Sequence, residues 1–356
     1  MPCECERNAH PAEAETQRQT ETAAEQAVCG LNALLRNERR THRRVGYKNS
    51  VLRYGMYAMS NCNRLANELR ERTYAPKKGE QHEIFEPKYR ITTSSKYCDR
   101  VPQSSFVVNY FYPAVISRLS DWNCACRKGK GVDDARERFK DILRRADMSE
   151  WCLKVDMKSY FASIDHKTLY SELFEYITDE WARWFFEITV ENSSNPTGLD
   201  LGSEVYQLAA VSFLNKLDHK LDTNGKYIRY QDDLLYVGTK AECRKALDTI
   251  KAEAERLKLT ISAKKTYIQP IKQPVHFLGY SFMRHETGRV TMKRLRDKFR
   301  REKRKLKRMR DKGVPAERVQ EHYQAVRAGL KKGTRSDLVK MDRFFNKLFG
   351  GKYGTG

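Results

Sequence analysis

The sequence predicts an α+β fold, an antiparallel sheet backed by helices, on three observations. Short apolar strand-like runs lie at 151–155, 227–238 and 276–282. Segments with helical apolar spacing alternate with them, in the order strand, helix, hairpin, helix, strand. The hairpin pairs antiparallel, and the helices must bury their apolar faces against the sheet. At 356 residues, 40% hydrophobic and 32% charged, the chain has material for two or three packed subdomains.

Each element follows from local chemistry. Residues 1–30, rich in Ala, Glu, Gln and Thr with little apolar periodicity, read as a frayed or helical extension. From 51 to 72, Leu52, Met56, Met59, Leu65 and Leu69 recur at helical spacing until "YAPKKGE" ends the helix. "HEIFEPKYRITTSS" reads as a strand pair turning near Pro87, and "RVPQSSFVVNYFYPAVISRL" as helix. A Gly-punctuated basic loop, "CRKGKGVDD", leads to an amphipathic helix over 132–145. "WCLKVDMKSYFASIDH" opens as a strand and turns polar at Asp156. "GLDLGSEVYQLAAVSFLNKLDHKL" is a Gly-rich loop feeding a long helix. "YIRYQDDLLYVG" is a hairpin with Asp232 and Asp233 at its tip, followed by a helix over 241–257. "LTISAKKTYIQ" and "HFLGYSF" are strand-like, and no internal repeat is present.

Charge narrows the partners. The 68 Lys and Arg against 46 Asp and Glu give a net of +22, which points to a polyanion, nucleic acid before membrane. Thirteen Lys or Arg stand against three acids between 293 and 312, too many for i,i+4 pairing to neutralise. That segment is expected to contact a phosphate backbone. No apolar run reaches the roughly 18 residues of a membrane span, and no basic-then-apolar leader opens the chain. Nine cysteines, an odd number, predict reduced thiols in a cytoplasmic protein. The pairs Cys3/Cys5 and Cys124/Cys126 lack both the C-x2-C spacing and the histidines of a zinc finger.

The two adjacent aspartates admit two readings. Asp is common where a chain reverses. The other reading is a polyanionic pocket: Asp156 also ends a strand, and if that strand lies beside the hairpin, three carboxylates converge with no equally close fixed cation evident. Such crowding costs several kcal/mol unless a cation neutralises it. Mg²⁺, a hard ion that prefers carboxylate oxygen, suits the site.

"KVDMKSYFASIDH", "GLDLGSEVYQLAAVSFLNKLDH", "YIRYQDDLLYVG", "LTISAKKTYI" and "HFLGYSF" resemble the palm motifs of reverse transcriptases in order and spacing. "FEPKYRITTSSKYCDRVPQ" and "NCACRKGKGVDDARERF" resemble the finger motifs of the bacterial group. Within that group the chain most resembles the enzymes of diversity-generating retroelements. Leu201 stands before Gly202 where most bacterial relatives have Gln, and Gln207 follows five positions later. Tyr206 stands where that type has Ser, and Asp200 where it has Pro.

The resemblance implies a right-hand polymerase: an extension (1–45), fingers with the first part of the palm (46–150), palm (151–285) and basic helical thumb (286–356). It implies an RNA-directed DNA polymerase with two Mg²⁺ ions, which Mn²⁺ can replace, held by Asp156, Asp232 and Asp233 with Met157. Phe161 matches the steric gate against a ribose 2′-OH, an ordinary core aromatic being the alternative. Lys88 and Arg90 would cover the triphosphate of a dNTP, and Leu201, Gly202 and Gln207 the nucleotide or template base. Lys265, rather than Lys264, matches the lysine that protonates pyrophosphate. Tyr230 and the primer-grip residues Phe277, Leu278, Gly279 and Tyr280 would hold the primer. Lys298, Arg301 and Arg304 would track the RNA template and RNA/DNA hybrid. A small basic accessory protein is an implied partner, and no membrane is. Retron, intron and phage-defence enzymes are alternatives within the family. The Val-Thr-Gly typical of retron enzymes is absent here, and the DNA-binding or endonuclease region that intron proteins usually add does not follow the expected thumb. An inactive RNA-binding scaffold is the alternative outside it, against which the three aspartates argue.

Overall fold

The computed structural model describes residues 21–43, 45–85, 89–192, 197–200, 202–222 and 225–350. The first elements are Ala23–Cys29 (α1), Leu31–His42 (α2), Asn49–Met56 (α3), Ala58–Arg70 (α4), Glu80–Ile84 (β1) and Arg90–Ser94 (β2). Tyr97–Phe106 (α5) continues through a π-helical turn, Val107–Phe111, into Tyr112–Ile116 (α6), and Val132–Arg145 (α7) follows. Next come Trp151–Asp156 (β3), Tyr160–Ser163 (α8), His166–Leu173 (α9), Glu180–Glu191 (α10), Glu204–Phe213 (α11) and Asn215–Leu221 (α12). Tyr227–Tyr230 (β4), Asp233–Gly238 (β5), Lys240–Arg256 (α13) and Tyr267–Pro270 (β6) complete one sheet and its backing helix. Val275–Phe277 (β7), Tyr280–Arg284 (β8) and Val290–Arg294 (β9) form another, before Arg296–Asp311 (α14), Ala316–Lys331 (α15) and Arg335–Phe349 (α16). The expected class, mixed helix and antiparallel sheet, is the one found.

The chain divides into two units. One comprises residues up to Ala114 with Phe174–Asn192 and Ser203–Val205. Its core is aromatic: Trp181 stacks on Phe185, Phe185 meets Phe106, and Phe111 meets Phe186. Of the two readings of residues 1–30, frayed or helical, the described part from residue 22 is helical: Thr22 caps α1 and bonds Asp179, and Ala24, Val28 and Cys29 are buried. The helix expected over 51–72 breaks at Tyr57, and Leu52, Met56 and Met59 face solvent, whereas Leu65 and Leu69 are buried. Helical spacing there marks two real helices, with Leu52, Met56 and Met59 left exposed among the described residues. Helix α10 has no counterpart among the expected elements, although Asp179 caps it. The strand pair β1–β2 is as expected; its turn at Pro87 lies outside the described residues, as do Cys3 and Cys5.

The other unit holds two sheets and three terminal helices. The first sheet has the order β4-β5-β3-β6, all antiparallel, with α13 packed against it. The second has the order β7-β8-β9 and shares a core with α7 through Phe139, Phe277 and Phe282. Helix α7 matches its expected span, because apolar residues at 135, 139, 142 and 143 give one clear face. The terminal helices bury a core of their own, in which Tyr323 stacks on Phe345. No helix among the described residues is long and apolar enough to cross a membrane.

Candidate active site

Register builds the site. Strand β3 runs between β5 and β6, and its last residue, Asp156, lies directly across from Asp233. Directly opposed residues point to the same face, so the two carboxylates are neighbours. Tyr230 pairs with Asp233 on the other side, which leaves Gln231 and Asp232 as a two-residue tip. Gln231 has φ 58°, a left-handed conformation that costs a non-glycine residue roughly 1–3 kcal/mol.

A buried anchor holds that tip. Arg229 is wholly buried, and its guanidinium donates to Asp218 (Nε–Oδ1 2.6 Å), to the Val211 carbonyl (2.9 Å) and to the Gln231 carbonyl (2.9 Å). Tyr227 donates its hydroxyl to the same aspartate at 2.8 Å. The hairpin tip is thereby fixed to α11 and α12.

Two lysines hold the carboxylates, contrary to the expectation of no close cation. Lys265 Nζ lies 2.6 Å from Asp156 Oδ1. Lys154 Nζ lies 3.0 Å from Asp233 Oδ1 and donates to the His276 carbonyl at 2.6 Å. Lys154 stands two residues before Asp156 on the same strand, hence on the same face. Lys265 lies two residues before β6, and the pairing of β6 with β3 brings it to Asp156. Asp232 makes no ion pair among the described residues. Burial first, then the Asp156 charge, raises its pKa. Burial likewise raises Asp233 to about 6, with Asp156 and Asp232 adding to it against Lys154. The bond to Asp156 raises Lys265, so its ammonium form is favoured. Lys265 thus meets a carboxylate of the site, whereas Lys264, likewise exposed, makes no ion pair among the described residues.

The donors suit a hard cation without enclosing one. Among the described residues, no three His, Cys, Asp or Glu side chains form a metal-holding group. Mg²⁺ commonly takes one or two protein carboxylates and completes its shell with water and substrate phosphates. Asp156 and Asp232 could supply such a pair, with Lys265 on Asp156 as Lys154 is on Asp233. Met157 is buried beside them; the bonds that bridge it to Ile261 run from Lys158 to Thr260 and from Ser262 to Asp156, so neither uses the Met157 carbonyl.

The residues expected to bind nucleotide divide. Phe161 is half-buried, while Tyr160 beside it is the core aromatic, bonded to the Ala210 carbonyl. The Gly-rich loop docks on the Phe161 backbone: Leu199 N–H donates to its carbonyl at 2.7 Å, and Gly198 N–H to Ile164 at 2.9 Å. A Cβ on Gly198 would come within 2.6 Å of Ala162 and Phe161 backbone atoms, and its φ is +89°, so only glycine fits. Gly202 and Gln207 are exposed, and Tyr206 is buried. Lys88 and Leu201 lie outside the described residues; Arg90 is placed by its backbone in β2.

At the β7–β8 turn, Leu278 (φ 45°) and Gly279 (φ 86°) form the two-residue tip. Of the four expected primer-grip residues, Phe277 and Tyr280 turn into the core, and Tyr280 donates to the Gly329 carbonyl on α15 at 2.6 Å. Alternation along each strand explains this: the flanking residues pair across the ladder facing inward, and the tip faces out. Tyr230 is half-buried against the same core. Lys298 lies over Gly279, and burial with Arg136, Arg294 and Arg301 nearby lowers its pKa. Arg136, unforeseen in the sequence, donates to the Leu278 carbonyl at 2.6 Å and lies over the Tyr280 ring. Arg136, Leu278, Gly279 and Lys298, with Lys154 and Asp233, line a cleft of about 380 Å³. Arg301 and Arg304 fall on the side of α14 opposite its buried Leu306.

Among curated proteins none matches this sequence. Solved structures to which the chain is similar include apo telomerase from Candida tropicalis, at 11% identity over 81% of this chain and 62% of that one, with a TM-score of 0.49. A form of it truncated from the C-terminal domain gives 12% identity over 66% and 60%, TM-score 0.45. Candida albicans telomerase in complex with a fragment of telomeric RNA gives 12% over 76% and 57%, TM-score 0.44. The chain thus spans about six-tenths of the telomerase chains it matches. Residues 75–282 match the family model for reverse transcriptase (RNA-dependent DNA polymerase). That match takes in β3, the aspartate hairpin and the β7–β8 turn, and it covers more than half of the chain, which therefore belongs to the reverse transcriptase family.

Proposed function

We propose that this protein copies RNA into DNA by metal-assisted nucleotidyl transfer, with the error-prone character of a diversity-generating retroelement enzyme. The observation that carries the polymerase reading is the cross-strand pair Asp156 and Asp233, with Asp232 at the strained tip and Lys265 on Asp156. Asp156 and Asp232, with the Met157 carbonyl, would hold Mg²⁺, which when bound activates a 3′-hydroxyl and stabilises the leaving pyrophosphate. Lys265 then serves as proton donor to that leaving group, for which its retained proton suits it. Lys154 pairs with Asp233, and Phe161 beside the Gly198 loop excludes a 2′-OH, favouring dNTPs. The basic side of α14 tracks the template–primer backbone.

Primer extension on an RNA template tests this. Asp232→Ala should lower the rate about 10³-fold or more, since several kcal/mol of charge stabilisation are lost and each 1.36 kcal/mol is tenfold. Normal extension by that variant would dismiss the metal-site reading. The subtype rests on Leu201 before Gly202, where an amide could otherwise bond near the nascent pair. Sequencing of the cDNA should show errors concentrated opposite template adenines, and Leu201→Gln should reduce them on the order of tenfold. Uniformly low error over all four bases would leave an ordinary or defence-type reverse transcriptase.

A further inference from the structure

A second basic region lies in the first unit, far in sequence from α14. Between 36 and 53 there are seven Lys or Arg against one acid, Glu38. Glu38 is buried and accepts a hydrogen bond from the Tyr97 hydroxyl at 2.9 Å, so it does not offset the surface charge. Arg36, Arg39, Arg43, Lys48 and Arg53 are exposed, and none has an ion pair among the described residues. Helix α3 packs on the last turn of α2: a Cβ on Gly55 would lie 3.5 Å from the His42 ring. It buries one residue, Val51, and sets Tyr54 edge-on to Tyr97. Its other side is bare. Tyr47 (79% exposed), Met56 (75%), Tyr57 (65%), Met59 and Leu52 face water among the cations.

From this juxtaposition we infer that the α2–α3 face binds single-stranded polynucleotide, its tyrosines stacking on unpaired bases while the arginines and lysine meet phosphates. Flat rings exposed at intervals within a cationic surface are what sequence-tolerant single-strand binding requires. A duplex offers no free base faces, so its phosphates alone would leave the rings unused. A protein partner is disfavoured because interface cores are depleted of charge, and five unpaired cations would have to be desolvated with the rings. The surface shares no residue with the carboxylate site or with α14, and the inference does not depend on polymerase chemistry.

The test uses the full chain and fluorescently labelled 20-nucleotide RNA and DNA single strands, the two arms distinguishing which polynucleotide is preferred. Replacing Tyr47 and Tyr57 together by Ala should weaken binding on the order of tenfold. Replacing both by Phe should restore it, because stacking needs the ring and not the hydroxyl. Reversing Arg39, Arg43, Lys48 and Arg53 should flatten the salt dependence by roughly 0.7 for each phosphate no longer neutralised. Photo-crosslinking with a thiouridine-bearing strand should label the peptide containing Tyr47 and Tyr57. Wild-type affinity in the Ala pair, or crosslinks confined to the cleft and α14, would overturn the inference. So would a tyrosine-dependent association with phosphatidylserine vesicles or with a second copy of the chain while RNA affinity stays unchanged. Extension of a primer–template with a very short overhang should be the same in the Tyr variants, so failure here is separable from failure of the polymerase reading.

Discussion

Two hairpin tips in the same unit are built alike and charged oppositely. Each has two residues, and each places a non-glycine residue at positive φ, Gln231 in one and Leu278 in the other. The first tip carries Asp232 and adjoins Asp156 and Asp233; the second lies under Lys298 and Arg136. The first is held from below by the buried Arg229, and the second by Phe277 and Tyr280 turned into the core. Lys154 joins them, bonding Asp233 of one hairpin and the His276 carbonyl of the other. The lesson is that tip position comes from buried anchors, whereas tip chemistry is set by a few charges added above them.

The harshest way to break the comparison is to remove the first anchor. Arg229→Met leaves Asp218 buried with the Tyr227 hydroxyl, so unfolding free energy should fall by roughly 3–5 kcal/mol. Urea denaturation measures it. The double variant Arg229→Met/Asp218→Leu should recover much of the loss, since a buried ion pair replaced by apolar groups is often near neutral. A loss below about 1 kcal/mol in the single variant would mean that the tip is held some other way.

A smaller effect separates the charges from the anchors. Asp233 has a folded pKa of about 6, above its ordinary 3.8. The folded state therefore binds that proton more tightly than the unfolded chain. The stability this confers is complete below the ordinary value and is lost as pH rises through about 6. Without divalent metal, wild-type stability should decline by up to about 3 kcal/mol across that window. Asp233→Asn should flatten the decline, whatever its effect at a single pH. Equal pH slopes for the two proteins would show that Lys154 already compensates the carboxylate in full.

The asymmetry between tips and anchors also explains what the sequence could reveal. Strand β3, the aspartate hairpin and α7 are legible because their patterns are local: an apolar run ending in Asp156, a reversal between apolar runs, one clear helical face. Helix α10 is legible on the same terms, with Asp179 as its cap and Glu180, Arg183, Glu187 and Glu191 at helical spacing opposite a Trp and Phe face, although it is missing from the expected elements. Among site residues, the aspartates and Lys265 stand out by type and spacing. Arg229 and Arg136 do not, because their partners come from other elements and depend on how those elements pack. Lys154 could have been found from its place two residues before Asp156. Tyr280 reads as a surface contact in the sequence because a motif gives the order of residues and not which face they turn to.

The mildest test concerns the second tip. Gly279 has φ 86°, and a Cβ there would meet Lys298 Nζ, the mobile end of a long side chain. The clash can be relieved by moving the lysine, so the cost of Gly279→Ala is chiefly the left-handed backbone, roughly 1–2 kcal/mol. Thermal unfolding should register this as a small loss. The displaced ammonium should matter more for binding, since Lys298 would no longer lie over the turn beside Arg136. The expected pattern is weaker affinity for a primer–template duplex with little change in the rate once it is bound. Asp232→Ala should do the opposite, sparing affinity while removing turnover. If Gly279→Ala instead lowered turnover with affinity intact, the second tip would act on the chemistry directly, and the division of labour between the two hairpins would be wrong.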